Sequence, residues 1–86
     1  MKKKAAALRY NTKKEQAPRV VAKGEGKIAE NIIKIAQENE LPIKKDADLI
    51  ELLSKVELDK EVPEALYKAV AEVFSFVYRV TNKSKK

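Results

Sequence analysis

From Pro63 onward, apolar residues recur at helical spacing: Leu66, Ala69, Val70, Val73, Phe74 and Val77 fall on one side, while Lys68, Glu72 and Arg79 fall elsewhere. Such a stripe is stable only when something apolar covers it. Pro63 suits a first helical position, so the spacing predicts a helix over 63–80. The chain has 86 residues, enough for one compact domain. The cover for this stripe must therefore come from the residues before it.

Those residues read as alternating short elements. Ala5 to Tyr10 is a candidate strand, followed by the polar turn-forming stretch Asn11-Thr12-Lys13-Lys14. Residues 18–23 form a better one, with Val20 and Val21 between Pro18 at its start and Gly24 at its end. The connection is short enough for the two to pair antiparallel. A helix is predicted over 26–40, its stripe made by Ile28, Ile32, Ile35 and Ala36 and widened by Ala29 and Ile33, ending at Leu41-Pro42. Ile43-Lys44-Lys45 leaves room for a third strand, which would lie parallel to its partner through a right-handed crossover. A helix over 47–57 is capped by Asp46, carries Asp48 and Glu51 in its first turn, and buries Leu49, Leu52, Leu53 and Val56. The expected fold is α/β (α+β): a small mixed sheet of about three strands with three helices around it, in the order β-β-α-β-α-α.

Composition narrows the chemistry. Without cysteine or histidine there is no thiolate, no disulfide, and neither the commonest general base nor the commonest metal ligand. The net charge of +6 lies at the ends: Lys2, Lys3, Lys4, Lys83, Lys85 and Lys86 leave thirteen basic residues against thirteen acidic ones. The body is neutral, so solvated tails are the expectation, with no nucleic-acid partner and at most peripheral membrane contact. The expected division is a basic tail at 1–4, a domain at 5–80 and a basic tail at 81–86. No apolar run reaches the length of a spanning helix or a secretory signal, so no targeting segment is expected, and the lack of cysteine fits a cytosolic location.

Candidate sites have plain structural explanations. Gly24-Glu25-Gly26-Lys27 lacks the third glycine of a dinucleotide fingerprint and the Gly-Lys-Ser/Thr of a phosphate loop, so it reads as a tight strand-to-helix turn. Glu30 with Lys34 and Glu64 with Lys68 are spaced for surface ion pairs. Glu38, Glu40, Asp46 and Asp48 lack calcium-loop spacing, so neither a metal site nor any other cofactor is expected. Ser54, Ser75 and Ser84 have no histidine to activate them. Tyr67, Phe74, Phe76 and Tyr78 read first as core; the alternative is an exposed edge that binds another protein. No catalytic residue is assigned.

Several segments in this order and spacing resemble the cytoplasmic domain of the FlhB/YscU family of export-apparatus switch proteins. They are Ala7-Leu8-Arg9-Tyr10, Ala17-Pro18-Arg19-Val20-Val21-Ala22-Lys23-Gly24, Pro42-Ile43, and Val62-Pro63-Glu64-Ala65-Leu66-Tyr67-Lys68-Ala69-Val70-Ala71-Glu72-Val73, continuing to Phe76-Val77-Tyr78-Arg79. The resemblance implies a small mixed sheet wrapped by helices. The family's self-cleaving Asn-Pro-Thr-His motif would place its last three positions on Met1, Lys2 and Lys3, so autocleavage does not carry over and the chain is not expected to be an enzyme. The family's substrate-docking patch would correspond to Ala17, Pro18, Ala71 and Phe74. The implied partners are export-apparatus proteins and flagellar export substrates. A FlhB N-terminal fragment, or a second copy of the chain, is a further expectation at an open strand edge from Ala5 to Tyr10, and the implied location is cytoplasmic, at the export gate. A structural strand-pairing subunit without a substrate role is the alternative, followed by a nucleic-acid or membrane-surface binder acting through the basic tails.

Overall fold

A computed structural model describes residues 3–11 and 13–84. Two strands, β1 (Lys4–Arg9) and β2 (Arg19–Glu25), form an antiparallel hairpin. Three helices follow: α1 (Lys27–Glu38), α2 (Ala47–Leu53) and α3 (Tyr67–Ser84), the last entered through a 3₁₀ turn over Glu64–Leu66. The α+β class and the sequence of helices agree with the expectation. The last helix runs past the expected end at Val80; Lys85, Lys86, Met1 and Lys2 of the expected tails lie outside the described residues.

The hairpin separates two layers. Its register pairs Ala5 with Gly24, Ala7 with Ala22 and Leu8 with Val20, and Val21 is the extra residue of a bulge. Alternation then divides the side chains. Ala6, Leu8 and Val20 join a core with Leu49, Leu53, Val56, Val62 and Val70, against which Leu66, Ala69, Val73 and Phe74 also pack. The opposite face is built from Ala5, Ala7, Ala22 and Gly24, small enough for α1 to lie close. A Cβ on Gly24 would overlap the Ile28 Cγ2 methyl and come within 2.8 Å of Ile28 Cβ. Gly26 makes the turn into α1 at φ 61°, a glycine conformation, and donates its N–H to Lys3 O at 2.7 Å.

The third strand expected at Ile43, Lys44 and Lys45 does not form, and the parallel crossover is absent with it: residues 41–46 run as irregular backbone and the sheet has two strands. Pro42 offers no N–H, and these three exposed residues have no face to bury. The free edge of β2 is met instead by residues 59–62. Asp59 and Val62 donate N–H to Val20 O and Pro18 O at 2.7 and 2.8 Å, Val20 donates to Lys60 O at 3.2 Å, and Arg19 bridges to Glu61. Asp59 turns the chain there at φ 66°.

The helices depart from the expected stripes for related reasons. In α1 Ala29 is buried and Ile32, Ile33 and Ala36 are half-buried, whereas Ile28 and Ile35 are exposed, because the flat alanine face admits only a narrow strip. Its end is a Schellman motif, with Leu41 N donating to Ala36 O, Glu40 N donating to Gln37 O, and Glu40 at φ 56°. Helix α2 starts where expected, since Asp46 Oδ1 accepts from Leu49 N at 3.0 Å. It stops at Leu53, earlier than expected, and leaves Leu52 exposed while Leu49, Leu53 and Val56 are buried. Lys23 reaches across from β2 and donates to the carbonyls of Ser54 and Val56 at 3.1 and 2.6 Å, which fixes that end. Neither Glu30–Lys34 nor Glu64–Lys68 is among the ion pairs of the described residues, whereas Lys4–Glu51 joins β1 to α2 at 2.8 Å.

The close approach at Gly24 makes a direct prediction. Gly24→Ala should cost about 1–3 kcal/mol through overpacking, roughly 5–15 °C in Tm for a domain this size. A circular-dichroism melt unchanged by the substitution would contradict the packing of α1 on β2.

Candidate functional site

One face of α3 carries Tyr67, Val70, Ala71, Phe74, Ser75 and Tyr78, the three- and four-residue spacing of a single helical side. Opposite it stand Tyr10 at the end of β1 and Gln16 and Pro18 from the segment before β2. Together they enclose an open groove of about 520 Å³, with Arg79 at the end toward the C-terminus of α3. The Tyr10 and Phe74 rings touch across it, centroids 5.9 Å apart and planes at 53°, a favourable tilted geometry.

Of the residues expected to form a docking patch, Pro18, Ala71 and Phe74 line this groove together. Ala71 is exposed, Phe74 half-buried and Pro18 buried in the wall. Ala17 is only 1% exposed and is not part of the lining. The aromatics of α3 divide: Tyr67 and Tyr78 are exposed in the groove, while Phe76 is half-buried away from it, with Lys44 Nζ 5.8 Å from its ring centre. Tyr67 and Tyr78, read first as core and only alternatively as an exposed edge, are exposed here; Tyr10, Gln16, Val70, Ser75 and Arg79 were not assigned to the site from sequence. The helical members were readable from their spacing with Ala71 and Phe74; Tyr10 and Gln16 carry no such signal.

A single carboxylate holds the wall opposite α3. The pairing of β1 with β2 sets Arg9 directly across from Arg19, a like-charge pair that would repel. Glu15 resolves it. Its Oε2 accepts from Arg9 Nη2 at 3.0 Å and Arg19 Nε at 2.9 Å, and its Oε1 accepts the N–H of Asn11 at 2.9 Å. Arg19 also donates to Asp59 O at 2.7 Å, joining this cluster to the segment on the far edge of β2. The Glu15 side chain is 8% exposed. The Arg9 hydrogen bond first, then the Asn11 N–H, hold its carboxyl below the usual glutamate range.

The groove lining provides apolar and aromatic surface, hydroxyls, one amide and one guanidinium, and contains no carboxylate. Among the described residues, no three carboxylates gather closely enough to hold a metal ion. No described helix is long and apolar enough to cross a membrane.

The family model described as "FlhB HrpN YscU SpaS Family" matches residues 2–77. The chain is 49% identical over 78 residues to the uncharacterized protein YlqH of Bacillus subtilis strain 168, covering 91% of this chain and 84% of that protein. It is 45% identical over 74 residues to the flagellar biosynthetic protein FlhB of Aquifex aeolicus, which covers 85% of this chain but 21% of that protein. Among solved structures, the cytoplasmic domain of FlhB from Shewanella putrefaciens superposes with a TM-score of 0.91 at 32% identity, over 96% of this chain and 65% of that one. A mutated EscU/SpaS C-terminal domain, 23% identical, shares the fold at a TM-score of 0.85 over 90% of this chain and 96% of that one.

The Glu15 cluster has a defined pH signature. A carboxyl whose folded pKa is depressed contributes fully above its unfolded value and loses that contribution as pH falls through the folded one. Glu15→Gln should therefore melt below the parent at pH 7, and the gap should close as the pH drops below about 4. Thermal melts across pH 3–7 check this; a gap that stays constant into acid would contradict the assigned role of Glu15.

Proposed function

The chain belongs to the FlhB HrpN YscU SpaS family, and on that premise we propose that it is a non-enzymatic protein-binding module of the flagellar or type III export apparatus. It works in the cytoplasm at the export gate and docks export substrates in the groove between α3 and the segment before β2. The observation that carries this reading is the convergence of Pro18, from the segment before β2, with Ala71 and Phe74 of α3 on one apolar groove. The lack of a carboxylate in that groove, and of histidine and cysteine in the chain, supports binding over catalysis. None of the prolines Pro18, Pro42 and Pro63 follows an asparagine, so the 86 residues contain no Asn-Pro bond to cleave.

A second reading rests on the sheet. With strand order β1–β2, the outer edge of β1 has no strand partner among the described residues, and such an edge accepts an added strand. A FlhB N-terminal fragment, or a second copy of the chain, fits there in a purely structural role. The two readings use different surfaces. A strand partner on β1 is indifferent to the groove.

Immobilised chain should retain flagellar export substrates, and Ala71→Asp or Phe74→Asp should weaken that retention about tenfold or more, the effect of a charge forced into an apolar contact. Ala71 is exposed, so its variant keeps the fold. Equal retention by both variants and the parent would remove the groove from the account.

A further inference from the structure

The groove is apolar along its length but not electrically neutral. Arg79 is its one charged lining residue, and it is exposed, with no ion-pair partner among the described residues. The hydroxyls of Tyr10, Tyr67 and Tyr78 and the Gln16 amide add further hydrogen-bonding groups. Around the turn from Tyr10, the adjoining depression is lined by Arg9, Lys14 and Arg19 with Glu15 as its only acid, and that acid is already shared by two guanidiniums. No carboxylate in the groove lining answers Arg79.

We infer that the groove takes an extended peptide segment of a partner protein in which apolar anchors are followed or preceded by a carboxylate that pairs with Arg79. This rests on the groove being a protein-binding site, as proposed above, and specifies what it selects. From Tyr67 to Tyr78 the helix rises about 16 Å, which roughly five extended residues span. Anchors fill the space beside Phe74 and Ala71, and the acidic residue falls at the Arg79 end. In the sequence outside the two strands and three helices, Lys2, Lys3, Lys85 and Lys86 would set like charge against Arg79. A partner of opposite sign fits better than a tail folding back.

Labelled peptides with a Leu-Ala-Phe-Ala-Leu core, flanked at both ends by Glu, Gln or Lys, test the inference by fluorescence anisotropy with the full chain. The Glu-flanked peptide should bind about threefold to fivefold tighter than the Gln-flanked one, the scale of one partly exposed ion pair, and salt should erase the difference. Arg79→Glu should reverse the order in favour of the Lys-flanked peptide, and Phe74→Asp should weaken all three. Equal affinity for Glu and Gln flanks, with Phe74→Asp still disruptive, overturns the acidic preference while leaving the groove as a binding site. A Glu preference that survives Arg79→Glu reflects diffuse charge attraction and also overturns it. Failure of every peptide to bind overturns both this inference and the proposed function.

Discussion

Val20 is where the hairpin, the core and the far edge of the sheet meet. Its side chain is fully buried among Leu49, Leu53, Val56, Val62 and Val70. Its own N–H and C=O turn away from β1 to bind Lys60 and Asp59. Burying a valine contributes about 1.5–3 kcal/mol, and each backbone hydrogen bond a net of about 1. A domain of this length has roughly 4–13 kcal/mol to lose. Burial therefore decides where β2 sits, and the hydrogen bonds decide its direction. The bulge at Val21 follows from that anchoring, because it lets Val20 and Lys23 point to the same side. Lys23 can then cap the end of α2, and Gly24 can face α1.

The groove inherits its shape from this arrangement. Fixing Val20 fixes Pro18, whose carbonyl is bound by Val62 N. The segment before it is held by the Glu15 cluster, which turns an unfavourable Arg9–Arg19 juxtaposition into a shared carboxylate. On the other side, burial of Val70 orients α3 so that Ala71, Phe74 and Tyr78 face the opening. A binding surface formed by a helix and a short connection needs both walls rigid, since ordering them on binding would cost affinity.

Much of this was legible in the residues. Asp46 announced the start of α2, Pro18 and Gly24 bracketed the second strand, and the apolar spacing from Leu66 to Val77 gave the last helix. Segment resemblance grouped Ala17, Pro18, Ala71 and Phe74; the last three line the groove, while Ala17 is buried outside its lining. The misses have physical causes. In the segment that takes the edge of β2, Asp59, Lys60 and Glu61 are all charged and signal no sheet contact; their place is set by Val62 entering the core. Ile28 and Ile35 looked as buried as Ile32 because a helical stripe does not reveal how wide its cover is. The opposing alanines and Gly24 leave room for a narrow strip only. Glu15 was invisible because its value lies in a register that places two arginines face to face.

The central claim is that the groove, rather than the edge of β1, is the surface on which a partner docks. A titration of ¹⁵N-labelled chain with a flagellar export substrate, followed residue by residue by NMR, addresses it most directly. The account predicts the largest amide shifts at Gln16, Val70, Ala71, Phe74 and Ser75, with Lys4–Arg9 nearly still. Shifts concentrated along Lys4–Arg9, or none at saturating substrate, would contradict it.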